Sequence, residues 1–169
     1  MKTKITGKAA VFDKDDIDTD MIIPAKYLNT DNPKELAEHA MEFIDEDFPG
    51  KVRDNNIRIV VAGKNFGCGS SREHAVWALT GNGIKAVIAD SFARIFFSNC
   101  VNYGLFPVIC PGASKKIKTG DEVEIDIAAG KVRAKGVELD SEPLPDFMMK
   151  IVEDGGLLPH VKKELDGKK

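Results

Sequence analysis

The chain has 169 residues, 43% hydrophobic, 30% charged and 7% aromatic, with a formal net charge of −3 at pH 7. That length corresponds to one domain, 1–169, able to bury roughly 70% of its unfolded surface and so to form a core without disulfide or metal staples. The apolar content excludes disorder, and the slightly negative charge leaves no field to hold nucleic acid or an anionic membrane. Three cysteines, Cys68, Cys100 and Cys110, are odd in number and lack the close pairing of a zinc or redox motif, which fits a reducing cytoplasm. No apolar run near the N-terminus has the length of a leader, and no segment reaches about 18 consecutive apolar residues. The expectation is a soluble cytoplasmic protein.

In chain order, Ala9–Phe12 is a strand candidate, followed by an acidic stretch from Asp13 to Asp20 and an apolar run, Met21–Pro24. Pro33 suits a first helical turn, and Leu36, Ala40, Phe43 and Ile44 recur at helical spacing, so a helix is predicted from Pro33 to about Asp47, ended by Pro49-Gly50. Ile57–Ala62 (IRIVVA) is a largely β-branched run that suits a strand buried on both faces. A glycine-punctuated loop, Gly63 to Gly69, leads into Ser70-Ser-Arg-Glu73, a predicted capping box opening a helix through Ala75, Val76, Trp77 and Leu79. Ala86–Ala89 is a second buried strand, Ser91 to about Asn102 a helix, and Leu105–Cys110 a third strand stopped by Pro111-Gly112. Strands and helices alternating with short joints imply right-handed crossovers and a parallel sheet. Beyond it, Glu122–Ile127 alternates polar and apolar, Gly130-Lys131 turns, and Val132–Leu139 returns as a β-hairpin. A last helix runs from Pro145 to about Glu153, and Leu157–Lys169 reads as a basic-ended tail.

The strongest chemical signal is Gly63-Lys-Asn-Phe-Gly-Cys-Gly-Ser-Ser-Arg-Glu-His-Ala75. It lies beyond the carboxyl end of a buried strand and at a helix N-terminus, where open α/β sheets bind anions; Arg72 adds a fork suited to a carboxylate or phosphate. The plainer role is a tight turn with a cap. A P-loop fails for want of its Gly-Lys-Ser/Thr, and a dinucleotide fingerprint fails at its third glycine. A Cys68 nucleophile paired with His74 lacks an orienting third residue. Asp16, Asp18 and Asp20 have calcium-loop spacing, but Met21 and Tyr27 stand where the loop needs Gly and Glu, so a solvated turn with local capping is expected. Cys100, Cys110 and Trp77 read as core residues, and His39 and His160 as surface or packing residues.

With this loop in hand, the chain resembles the isopropylmalate isomerase small subunits of the aconitase superfamily. The resemblance spans nearly the whole length. It rests on Asp16-Ile-Asp-Thr-Asp-Met-Ile-Ile-Pro-Ala-Lys-Tyr-Leu28, on Gly63–Ala75, and on Ala89-Asp-Ser-Phe-Ala-Arg-Ile-Phe96 with Asn99, Asn102, Gly104, Leu105 and Pro107. It implies an α/β, swivelling β/β/α domain like the mobile last domain of aconitases, with a parallel core sheet plus a β-hairpin. It also implies a separate large subunit carrying a [4Fe–4S] cluster, no metal or cofactor on this chain, and a site between the two chains.

Carried over by residue, the resemblance makes Ser70 the catalytic base and puts Ser71 and Arg72 in adjoining substrate-contact positions. Arg94 and Asn99 read as structural. The segment after Tyr27-Leu28 becomes a mobile loop facing the substrate's variable group, which adds Lys26, Asn29 and Thr30 as substrate-binding candidates. The implied activity is interconversion of 2- and 3-isopropylmalate by dehydration and rehydration, in leucine biosynthesis. Homoaconitase-type or methylated-malate dehydratase subunits are the alternatives of the same class. A non-catalytic small-acid binding module is the alternative of another class.

Overall fold

The structure, a computed structural model, describes residues 4–167. Seven strands form one mixed sheet in the order β4-β3-β2-β1-β5-β6-β7. Strands β1 (Lys4–Phe12), β2 (Ile57–Ala62), β3 (Ala86–Ala89) and β4 (Phe106–Ile109) run parallel. Strands β5 (Glu122–Asp126), β6 (Lys131–Ala134) and β7 (Val137–Asp140) extend the sheet antiparallel from β1. The predicted hairpin is therefore a three-stranded meander: the run Val132–Leu139 turns at Lys135-Gly136, where Gly136 adopts φ +73°.

Alternation along the parallel strands divides the core. Val60, Ala62, Val87 and Ala89 pack on one face, while Ile59, Val61, Ala86 and Ile88 pack on the other. The first face is covered by α1 (Thr19–Ile22), α2 (Pro33–Ala37), α3 (Phe48–Asn55), α4 (His74–Gly81) and much of α5 (Arg94–Asn102). The second is covered by α6 (Ala113–Lys116) and α7 (Asp146–Glu153). Strand order follows chain order from β1 to β4, and right-handed crossovers that all step the same way must place their helices on one side.

Several helix boundaries differ from the sequence expectation, among them that of α5, which is expected from Ser91 and begins at Arg94. The segment predicted as one helix to Asp47 breaks after Ala37, because Met41 adopts φ +61° and its amide bonds the Ile22 carbonyl at 2.7 Å, which buries Met41 against α1. Pro49-Gly50 opens α3 rather than closing its predecessor; a proline costs nothing in a first turn, where its amide would have had no partner. The expected tail is a helix, α8 (Leu157–Asp166), fixed by His160 and Lys163 bonding Asp154; the two final lysines lie outside the described residues.

Candidate active site

The carboxyl ends of β1 and β2 open side by side, and their following segments are laced together. Gly63 N–H donates to the Lys14 carbonyl, and Lys64 N–H to Asp15 Oδ1. Asp16 N–H donates to the Lys64 carbonyl, Gly67 N–H to the Ile17 carbonyl, and Thr19 N–H to the Cys68 carbonyl, all at 2.8 Å. Asn65 Nδ2 donates to Asp16 Oδ1; both residues take left-handed backbone conformations that Asn and Asp tolerate. The lacing requires glycine at two points. A Cβ on Gly63 would fall 2.3 Å from Asp15 Oδ1, and one on Gly67, itself at φ +82°, would fall 2.1 Å from the Phe96 ring. The acidic stretch is thus a capped turn, as its failed calcium pattern implied: Asp18 caps α1 by accepting from Met21 N–H at 2.8 Å.

This lacing presents Ser70. Its N–H donates to Thr19 Oγ1 at 3.1 Å, while Arg72 N–H donates to Ser70 Oγ at 3.4 Å. The capping box is not formed. Ser70 makes a two-residue turn instead, and α4 begins only at His74, without a side-chain cap. The reason is tertiary: Thr19 holds one side of the loop, and Asn99 Nδ2 of α5 holds the Ser71 carbonyl at 3.2 Å, so the chain cannot coil before Glu73. Asn99 therefore has the structural role expected of it. Ser70, Ser71 and Arg72 are all exposed.

Ser70 and Arg72 line a cavity of about 200 Å³ with Thr19, Asp20, Ile23, Ala25 and Leu28. One wall is apolar, from Ile23, Ala25 and Leu28. The cavity's polar lining comes from Thr19, Asp20, Ser70 and Arg72. Thr19, Ile23 and Ala25 are not candidates in the sequence, and Asp20 stands out there only by its calcium-loop spacing, although all four fall within the Asp16–Leu28 block.

The remaining candidates sit apart from this cavity. Asn29 and Thr30 line a neighbouring depression with Tyr27, Glu35, Glu38 and His39. Lys26 is largely exposed, 4.0 Å from Glu42 and over the Tyr27 ring. Glu42 also accepts from the Tyr27 hydroxyl at 3.0 Å and lies 3.0 Å from His39 Nδ1, and the His39 ring stacks on Tyr27 at 3.7 Å. His39 thus anchors the start of the loop.

The cysteines do not form a metal site. Cys100 and Cys110 are buried on opposite faces of the sheet, a placement that cannot serve one cluster. Burial pushes the Cys100 thiol well up and the Cys110 thiol to about 11. Cys68 is raised by burial and by Asp18 and Asp16, the reverse of what activates a nucleophile. Among the described residues no group of three His, Cys, Asp or Glu side chains is arranged to hold a metal, and no helix is long and apolar enough to cross a membrane.

Comparison with known proteins agrees with this geometry. Residues 2–113 match the family model of the aconitase C-terminal domain. A 3-isopropylmalate dehydratase small subunit of Methanopyrus kandleri is 52% identical over 166 residues, covering 97% of this chain and 96% of that protein. An isopropylmalate/citramalate isomerase small subunit of Methanocaldococcus jannaschii is 47% identical and covers 98% of each chain. A crystal structure titled as 3-isopropylmalate dehydratase from the same archaeon superposes with a TM-score of 0.89 at 46% identity, covering 98% of this chain and 97% of the other. The laced loops, the presented serine and these matches agree: the chain belongs to the aconitase C-terminal domain family, among its 3-isopropylmalate dehydratase small subunits.

Proposed function

We propose that the whole chain acts as one domain, in the cytoplasm, as the small subunit of a heteromeric hydro-lyase that interconverts 2- and 3-isopropylmalate in leucine biosynthesis. The observation that carries this reading is the cavity that Ser70 and Arg72 line together with the apolar Ile23, Ala25 and Leu28. Ser70 is the base that takes the proton beside a carboxylate, and it returns that proton when water re-adds at the adjacent carbon. An unaided serine is far too weak for this. The Arg72 amide directed at Ser70 Oγ, the positive end of α4 and the Arg72 guanidinium together favour the alkoxide. Arg72 also grips a substrate carboxylate, and the apolar wall receives the isopropyl group. The large subunit carries a [4Fe–4S] cluster, whose chemistry is Lewis-acid polarisation of the departing hydroxyl. The exposure of Ser70, Ser71 and Arg72 supports a site completed by a second chain.

The M. jannaschii relative's name adds citramalate, and the shallow apolar wall supports a second reading in which smaller alkylmalates are also accepted. Anaerobic mixing with a cluster-bearing large subunit, followed by steady-state assay of alkylmalates and homocitrate, tests both. Turnover of 3-isopropylmalate is the expected result. Affinity for alkylmalates without turnover would make the chain a binding module instead.

A further inference from the structure

His74 opens α4 with its ring inside the fold. Both ring nitrogens are buried without a hydrogen-bond partner, and the ring lies 4.9 Å from the indole of Trp77. An imidazole carries at least one N–H donor, and leaving a buried one unmatched is unfavourable. A carboxylate stands just out of reach: Asp31 Oδ1 is 3.6 Å from His74 Nε2, beyond the usual ~2.9 Å of an N–H···O bond. Asp31 is 90% exposed, three residues past Leu28, and His74 is two residues past Arg72; Leu28 and Arg72 both line the Ser70 cavity.

The segment between is held at both ends. Upstream, Tyr27 is stacked on His39 and bonded to Glu42. Downstream, Asn32 caps α2, and α2 is clamped to α4: the Pro33 carbonyl passes so near Gly81 that a Cβ there would lie 2.2 Å from it, and Asn82 Nδ2 donates to the Ala37 carbonyl. Between these anchors the one side-chain bond among the described residues is Thr30 Oγ1 accepting from Asn32 N–H at 3.1 Å, and a small shift of Asp31 completes the missing bond of a buried imidazole.

We propose that Asp31 and His74 form a latch: when substrate occupies the Ser70 cavity, Asp31 accepts a hydrogen bond from His74 Nε2 and draws Asn29–Asp31 against the first turn of α4. Both are positioning residues, touching no reacting atom. The proposal takes its substrate from the dehydratase reading above and deepens it. A latch that steadies bound substrate and transition state alike appears in KM and leaves kcat nearly alone.

The test pairs the full chain with its large subunit and measures kcat and KM for 3-isopropylmalate. Asp31→Ala raises KM five- to tenfold with kcat within twofold. Asp31→Asn, which still accepts a hydrogen bond, raises KM less than threefold. Asp31→Ala combined with His74→Gln is no worse than Asp31→Ala alone. An unchanged KM in Asp31→Ala, or effects that multiply in the double variant, overturns the latch. If His74→Gln does not fold, the two Asp31 variants decide alone, since Asp31 is exposed. Hydrogen exchange gives a readout besides turnover: in the wild-type complex saturating 3-isopropylmalate slows amides 29–31 at least threefold, and in Asp31→Ala that slowing is lost. If the wild-type complex turns over no alkylmalate, the dehydratase reading fails and the latch with it; if it turns over 3-isopropylmalate but the substrate slows amides 29–31 equally in wild type and Asp31→Ala, or in neither, the latch alone is overturned.

Discussion

Thr19 Oγ1 accepts the Ser70 amide at 3.1 Å, joining two segments 51 residues apart. Thr19 is itself buried, so the bond fixes Ser70 relative to the exit of β1 rather than to its own helix. The serine is thus held by strand-end lacing, and α4 contributes its dipole from four residues further on.

Thr19→Val keeps shape and removes the acceptor. Leaving the Ser70 amide unmatched costs about 1–2 kcal/mol of stability, read by urea denaturation. Turnover falls on the order of tenfold through loss of alignment, with KM little changed. Thr19→Ser restores most of both. A Thr19→Val enzyme of wild-type kcat would show that the loop holds Ser70 without this bond.

Ser70→Ala abolishes turnover, by on the order of 10²–10⁴-fold, with the fold and large-subunit binding intact. Its Oγ accepts one long bond at an exposed position, so the stability loss stays below about 1 kcal/mol. Arg72→Lys is also damaging, because an ammonium cannot make a planar two-point grip on a carboxylate. Full turnover in Ser70→Ala would move the base elsewhere, with Ser71 next.

How much of this was legible in the sequence depended on whether local or distant partners decide a segment. Ile57–Ala62 reads correctly because its apolar side chains are needed on both faces of the sheet, whatever surrounds it. The Ser70–Glu73 pattern reads as a capping box because the sequence shows Glu73 but not Thr19 and Asn99, whose bonds keep the chain from coiling. The helix expected through Asp47 fails for the same reason: Ile22 captures the Met41 amide from outside. In the site, Ser70 and Arg72 were visible as a motif. Thr19, Asp20 and Ile23 became part of the cavity only once β1 and β2 lay side by side.

The cysteines give a pH prediction. Cys110 is fully buried and its thiol titrates at about 11 against an ordinary 9.0, because the thiolate is poorly solvated there and faces Asp90 and Asp140. A thiol raised in the folded state contributes stability that is whole below pH 9 and is lost as pH climbs towards 11, at about 1.4 kcal/mol per unit. Cys100, raised by burial as well, adds to the fall across that window, and Cys110→Ala should lessen it by about 2–3 kcal/mol. Below pH 8 the native chain should expose only Cys68 to a thiol reagent, and that one slowly; three fast-reacting thiols in the native state would contradict the buried placements.

The last prediction concerns substrate choice. Leu28 lines the Ser70 cavity, whereas Asn29 and Thr30 face the adjoining depression, so the alkyl group meets Leu28, Ile23 and Ala25 first. Discrimination among apolar groups in such a wall is worth roughly 1–3 kcal/mol per methylene, so several alkylmalates are accepted, ordered by fit. A third carboxylate would need a cation at the loop. Asn29 offers only neutral hydrogen bonds, Asp31 carries the wrong sign, and Lys26 stands beside Glu42. The complex should therefore prefer alkylmalates to homocitrate-type acids. Leu28→Ala lowers kcat/KM for 3-isopropylmalate on the order of tenfold, and Asn29→Arg shifts preference towards the tricarboxylate by supplying a two-point grip at the edge of the cavity. Measuring kcat/KM for both substrate types in all three enzymes decides it. If the wild type prefers the tricarboxylate, Lys26 must leave Glu42 to meet the extra carboxylate, and Lys26→Ala would then abolish that preference.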